Sequence, residues 1–285
     1  MEAYQKNALV LLTDFGLKER FVASMKGVAF GVDKDIKLFD LTHQIEPFNI
    51  LEASETLAGT LPYWPEGTVF VAVIDPGVGT ERKSIVVKTQ SGHCIVTPDN
   101  GTLTHTAEQF GIEEVREIDE TLNRLPHSEH SYTFHGRDVY VYTGARLASH
   151  IITFEEAGPE LQRKVVQIAY PKPTQVNKNT VSGMIVKIEY PYGNIVTNIP
   201  CALLEQTGVK VENQSYLQVS IIHNGNVIYE QRLPYTYSFG YVKEGEAMIY
   251  PDSVQRIGLA VNGESFAKKY GIEAGKQWKI TFSCS

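Results

Sequence analysis

"VAVIDPGVGTERKSIVVK", residues 71–88, holds two apolar runs separated by a carboxylate, two glycines and an arginine. Within each run the aliphatic residues follow one another instead of alternating, so a strand built from it has no polar face to turn to water. Such strands belong inside a sheet that is covered on both sides. Asp75 then falls at the end of the first strand, and Arg82 opens the second seven positions later. Pro76, Gly77 and Gly79 force a tight excursion between them, in which backbone can approach a ligand closely.

The theme recurs through the first half of the chain. "ALVLLTDFG" (8–16), "IKLFDLTH" (36–43) and "HCIVTPDNG" (93–101) are further strand candidates, apolar on both faces, each with an acidic or amide residue near its carboxyl end. Helical spacing follows in "ERFVASMKGVAFGV" (19–32), "ILEASETLAGTL" (50–61) and "VYVYTGARLASHI" (139–151). Strand and helix in alternation predict an α/β domain whose mostly parallel sheet is sandwiched by helices. Ligands of such sheets sit at the carboxyl ends of the strands, where Asp14, Asp40, Asp75 and Asp99 or Asn100 fall.

The texture changes near residue 165. "IAYPKPTQVNKNT" (168–180) has the proline-rich, polar composition of a linker. Beyond it, "SGMIVKIEY" (182–190), "YLQVSIIHNGNVIYEQRL" (216–233) and "QWKITFS" (277–283) alternate as half-buried strands do. The "HNGN" turn is a hairpin signal. The expected division is an α/β domain over 1–165, a linker over 166–180 and a smaller all-β domain over 181–285, a barrel or a sandwich.

Composition narrows the function. The 285 residues are 42% apolar, enough for a substantial core, and carry a formal charge of −7 with no basic stripe, which argues against nucleic-acid binding. Cys94, Cys201 and Cys284 are odd in number and widely spaced, so they read as reduced thiols of a cytoplasmic protein. The first apolar run is only a few residues long and ends in Asp14, which predicts neither a signal peptide nor a membrane span.

Each candidate residue has a plain structural reading beside a functional one. Asp14 can accept hydrogen bonds from a ribose diol, or cap the helix that follows. Asp75 and Arg82 can poise a ligand, or form an ion pair that braces a turn. His135 in "TFHGRD" (133–138) heads a helical stretch and by itself ranks low as a catalyst, while Arg137 and Asp138 read as a cap and a surface ion pair. "IEYPYGNIVTN" (188–198) offers Glu189 and Asn194, whose amide complements an adenine edge, although turn chemistry explains it equally well. "YPDSVQRIGLAVNG" (250–263) offers Ser253 and Asn262 as polar contacts. No His, Cys or acidic spacing suggests a metal site.

Taken together, "TDFG", "LTHQIEPFN", "VAVIDPGVGTER", "TPDNGTLT", "TFHGRD" and "YPYGNIVTN", in this order, resemble the S-adenosyl-L-methionine hydroxide adenosyltransferases, hydrolase relatives of the fluorinase and chlorinase enzymes. The resemblance runs from about residue 8 to residue 263. It implies an N-terminal α/β domain, a C-terminal β-barrel domain and a homotrimer with its active sites between subunits. It implies hydrolysis of S-adenosyl-L-methionine to adenosine and methionine, with no cofactor. By motif position, Asp75, Arg82 and His135 would hold the attacking water. Asp14 takes the ribose, Phe48 lines the sugar or adenine side, and Asn194 reads the adenine. Glu189 and Ser253 would hold the methionine ammonium.

The departures also carry information. Halogenating relatives have Tyr and Thr in the positions of Asp75 and Val78 and a long insertion before "TPDNG", which is absent here; this favours water over halide. Val254 stands where the halogenases have an Arg for the substrate carboxylate, so that carboxylate lacks an assigned partner. "GRDVYVYTGARLA" departs from the commoner "GRDxFAPxAAxLA" around Tyr140 while keeping His135 in register. The alternatives are a halogenase of the same fold and a non-catalytic protein that binds S-adenosylmethionine or adenosine.

Overall fold

Six strands, β1 (Ala8–Thr13), β2 (Lys37–Thr42), β3 (Val69–Val73), β4 (Ser84–Thr89), β5 (Cys94–Pro98) and β6 (Ile112–Glu117), form one sheet in the order β2-β1-β3-β5-β4-β6. The computed structural model describes residues 7–211 and 215–284. These fall into two units divided between Ile168 and Ala169. Neighbours among β1, β2, β3 and β5 pair in parallel, whereas β4 runs antiparallel to both β5 and β6. The reversal follows from the link: only the short turn Gln90–His93 joins β4 to β5, and a parallel crossover needs a dozen residues or more.

Helices α1 (Phe21–Val32), α2 (Ile50–Thr60), α3 (Thr104–Phe110) and α4 (Val141–Ala148) cover the sheet on two sides. Leu9 and Leu11 point with Val71 into one layer, against Met25 and Ala29 of α1 and Ala145 of α4. Val10 and Leu12 point with Phe70 into the other, against Ala53 and Leu57 of α2. The period of two that separates them is the pleat of the strand. Each Leu, Val, Phe or Met among them contributes roughly 1.5–3 kcal/mol by leaving water. Gly144 lets α4 lie close on β3, since a Cβ there would meet Val71 Cγ2 at 2.5 Å. One expectation fails in detail: β2 is an edge strand, with Lys37, Phe39 and Asp40 exposed, so "IKLFDLTH" is not buried on both faces.

In the second unit, β7 (Thr174–Asn177), β8 (Thr180–Glu189), β9 (Asn194–Pro200), β10 (Tyr216–His223), β11 (Asn226–Pro234), β12 (Ala247–Pro251), β13 (Arg256–Val261) and β14 (Trp278–Ser283) make one antiparallel sheet. Its path runs β11-β10-β14-β8-β9-β13-β12, with β7 beside β8. A bridge between Tyr235 and Ile249, with the Thr236 N–H donating to the Ile249 carbonyl at 2.9 Å, brings the two ends together into a nearly closed barrel. Val219, Ile221, Ile280 and Phe282 fill its interior, and α5 (Cys201–Glu205) and α6 (Phe266–Tyr270) pack on it. Asn224 and Gly225 both take positive φ at the β10–β11 turn, as the "HNGN" signal requires. Residues 174–177, inside the stretch that reads as a linker, form β7. The architecture is thus the mainly parallel α/β sheet and the β-barrel that the resemblance implied. Among the described residues, no helix is long and apolar enough to cross a membrane.

Candidate active site

β1 and β3 are paired with Thr13 opposite Val73, so Asp14 and Asp75 leave neighbouring strands at the same rim of the sheet. The turn after Asp75 brings Arg82 back to it. Arg82 Nε donates to Asp75 Oδ1 at 2.8 Å and Nη2 to Oδ2 at 2.5 Å, a bidentate fork in which neither side chain is more than a tenth exposed. Nη1 donates to Ser84 Oγ at 3.2 Å, and that oxygen meets the Tyr140 hydroxyl at 3.1 Å. The guanidinium lies over the Tyr140 ring, 5.6 Å from its centroid.

His135 enters from a different layer. It immediately precedes a π-helical turn, Gly136–Tyr140, that leads into α4; such turns re-aim side chains and recur at functional sites. Its Nδ1 is 3.1 Å from Arg82 Nη2, and its Nε2 is 3.4 Å from Arg124 Nη2. Burial lowers its pKa below the ordinary 6.5; Glu120 pulls it up, and the two guanidinium charges push it further down. For Arg82, burial disfavours the charge, but the hydrogen bonds to Asp75 and the charged groups around it, Asp75 and Glu120 among them, together outweigh it and raise the pKa.

Asp14 does not cap α1, whose start has no side-chain cap. Its Oδ2 accepts the Phe48 N–H at 2.8 Å, and Phe48 itself, 69% exposed, holds a positive φ of 67°. Burial raises the Asp14 pKa, the Phe48 N–H lowers it, and the charge of Asp75 raises it again. Arg137 and Asp138 do pair, at 2.6 and 3.0 Å, but Asp138 is fully buried, so this is not a surface ion pair.

The second unit gathers the remaining candidates. Glu189, Asn194, Tyr250, Asp252, Ser253 and Ser265 line a cleft of about 720 Å³. Glu189 Oε2 accepts from Asn194 Nδ2 at 3.2 Å and from the Tyr250 hydroxyl at 3.4 Å. Asp252 closes the turn after β12 by accepting the N–H groups of Val254 and Arg256 at 2.9 and 2.8 Å. Burial raises its pKa, and the charge of Glu189 adds to that. The cleft is therefore acidic and suits a cationic group.

Asp75, Arg82 and His135 thus come together, Asp14 and Phe48 form a second pair, and Glu189, Asn194 and Ser253 share the cleft. Arg124, Ser84, Tyr140, Tyr250 and Asp252 were not singled out as site residues from sequence. Tyr140 had a signal, the unusual Tyr after "GRDV"; Arg124 had none. Among the described residues, no group of three or more His, Cys, Asp or Glu could hold a metal.

The model of the SAM hydroxide adenosyltransferase N-terminal domain matches residues 9–158, and that of the C-terminal domain matches residues 183–279. This chain belongs to the SAM hydroxide adenosyltransferase family. Within that family it is 41% identical over 195 residues to a protein of Methanocaldococcus jannaschii named (R)-S-adenosyl-L-methionine hydrolase. That match covers 67% of this chain and 66% of the relative's length. A fluorinase from Actinopolyspora mzabensis is 26% identical, with 99% of each chain covered. A crystal structure of an uncharacterized conserved protein from Thermotoga maritima superposes with a TM-score of 0.87 at 32% identity, over 97% of this chain and all of that one.

Proposed function

We propose that this chain hydrolyses S-adenosyl-L-methionine to adenosine and L-methionine, with water as the nucleophile at ribose C5′. The observation that carries the reading is the buried Asp75–Arg82–His135 cluster at the carboxyl rim of the sheet, in a chain related to an enzyme named for this hydrolysis. A sulfonium leaves as a neutral thioether, so the leaving group needs no acid. The C5′–O bond forms as the C5′–S bond breaks, the electron pair passes to sulfur, and one water proton is released.

In this reading Asp75 accepts a water hydrogen, since each of its oxygens keeps a lone pair beyond the one that Arg82 occupies. Arg82 lowers the cost of hydroxide character on the water, and neutral His135 orients the water or shares its proton. Asp14, held by the Phe48 N–H, takes the ribose diol, and Phe48 lines the sugar or adenine side. Asn194 reads the adenine, and Glu189 with Ser253 takes the methionine ammonium. Asp75 also favours water over halide, because a carboxylate accepts a hydrogen bond from water and a halide has no hydrogen to donate.

The same reading makes the protein a homotrimer that completes each site between subunits. Phe48, Tyr190 and Tyr192, 69%, 95% and 70% exposed, are aromatic surfaces that a partner copy would cover. Three free thiols support a cytoplasmic setting. Overnight incubation with the (R) and (S) sulfonium epimers, read by chromatography, tests the activity. Adenosine and methionine in equal amounts are expected, and the absence of both overturns the reading.

A further inference from the structure

The segment "LTHQIEPFN" (41–49) supplies Phe48 to the candidate site and leaves His43 without a task. His43 is buried, and both of its ring nitrogens are engaged. Nε2 lies 3.1 Å from Oδ1 of Asp40, whose other oxygen accepts from Lys26 Nζ at 2.6 Å. An ionised carboxylate only accepts, so Nε2 carries a hydrogen. In the neutral ring Nδ1 is then the acceptor, and the buried Thr13 hydroxyl, 2.8 Å away, donates to it. The same Thr13 oxygen accepts the Phe15 N–H at 3.2 Å, and the Gly16 N–H donates to the His43 carbonyl at 2.7 Å. Backbone on both sides of Asp14 is therefore fastened to one histidine. The rest of the segment is anchored as well: Ile45 packs in the core, and Asn49 caps α2 by accepting the Glu52 N–H at 3.1 Å. Phe48, whose N–H meets Asp14 Oδ2, follows the first anchor and precedes the second.

We propose that His43 is a positioning residue for Asp14: held through Nε2 by Asp40, its imidazole fixes the backbone from Thr13 to Gly16 and so aims the Asp14 carboxylate at the ribose diol. The proposal rests on the hydrolase reading. Its hydrogen bonds run one way, from the Phe15 N–H through Thr13 and His43 to Asp40, and bonds chained in this way polarise one another. Without the imidazole the buried Thr13 hydroxyl loses its acceptor and the turn loses its brace. Asp14 then keeps the Phe48 N–H on one oxygen while its own backbone shifts. Hydrogen bonds weaken steeply with angle, so the diol contacts suffer first.

The test compares adenosine with 2′,3′-dideoxyadenosine, which lacks only the two ribose hydroxyls assigned to Asp14. Equilibrium binding of each to the full chain is measured by calorimetry, with no turnover to interfere. The wild type is expected to prefer adenosine about tenfold or more, the range of a hydrogen bond to a charged group. His43→Leu should remove most of that preference by weakening adenosine alone. His43→Asn, whose amide oxygen can accept from Thr13, should restore part of it. Asp40 is exposed, so Asp40→Ala keeps the fold, as circular dichroism checks, and should narrow the preference in the same direction. A purely structural histidine would weaken both ligands alike. Equal weakening of both, or a wild-type ratio in Asp40→Ala, overturns the positioning role. A wild type that does not distinguish the two ligands overturns it too, while the hydrolase reading stands if S-adenosylmethionine still yields adenosine. A wild type that releases no adenosine overturns both.

Discussion

Arg82 Nη2 lies 3.1 Å from His135 Nδ1, and because a guanidinium only donates, that ring nitrogen is the acceptor. Protonating the ring would turn the acceptor into a second donor facing a cation. Burial first, and the flanking arginines after it, accordingly lower the His135 pKa below 6.5.

The pH dependence follows from that direction. Between the lowered folded value and the unfolded value of 6.5, the unfolded chain binds a proton that the folded chain does not. Stability from this group is complete above pH 6.5 and is lost as the pH falls toward the folded value. Urea unfolding from pH 8 to pH 5 should show a steeper loss for wild type than for His135→Gln. The acid limb of kcat/KM should likewise lie below 6.5. Equal slopes, or an NMR titration of His135 above 6.5, would refute this.

Arg82→Lys keeps a charge but loses the fork on Asp75, and kcat should fall on the order of 100-fold with little change in substrate affinity. Arg82→Ala should also destabilise the protein by about 3–5 kcal/mol, because it strands a buried carboxylate. Steady-state kinetics and thermal unfolding separate the two effects. Wild-type turnover by either variant would remove Arg82 from the mechanism.

Hydrolysis in ¹⁸O-water should place the label in the 5′-hydroxyl of adenosine within a single turnover, read by mass spectrometry. A covalent ester on Asp75 opened at its carbonyl would give unlabelled adenosine first. Chelators should leave the rate unchanged.

A site completed between copies predicts subunit complementation. Asp75→Ala and Asn194→Ala, each inactive alone, should regain activity when mixed, since one interface can unite two intact halves. Light scattering should report a trimer. A fully active monomer, or no recovery after verified exchange, would count against the shared site.

Gly193 lies between Tyr192 and Asn194, two lining residues of the second-unit cleft, with φ +75°, and a Cβ there would clash with Ser265 Oγ. Gly193→Ala should therefore cost roughly 1–3 kcal/mol, from left-handed strain and the displaced serine together. Denaturant unfolding measures this, and an unchanged midpoint would show that the turn yields freely.

Much of this was legible in the chain because the informative residues are local. Unbroken aliphatic runs mark β1, β3, β4 and β5 as interior, and Asn224–Gly225 marks its own hairpin. "DPGVGTER" holds both halves of an ion pair within one turn. What was hidden depends on tertiary neighbours. β2 carries the same kind of apolar run but lies at an edge, which composition alone does not reveal. Arg124 reaches His135 from a loop with no motif, and Asp138 is fully buried although its partner Arg137 is the next residue. The order of strands around the barrel, which sets Tyr250 beside Glu189, is likewise a product of long-range pairing.

The reversed direction of β4 has a kinetic consequence. Had β3 been followed by a parallel strand, the residue opening that strand would start at the far rim, roughly 16 Å away for five residues at about 3.3 Å each. Because β4 runs back, Asp75 and Arg82 meet across a separation of seven positions, whereas His135 stands 53 positions beyond Arg82. Closing a loop of about ten residues takes on the order of 10–100 ns, so the carboxylate–guanidinium contact has low contact order and can form and reform early. The imidazole contact closes a far longer stretch of chain, 53 positions, so a complete charge cluster requires that non-local contact as well.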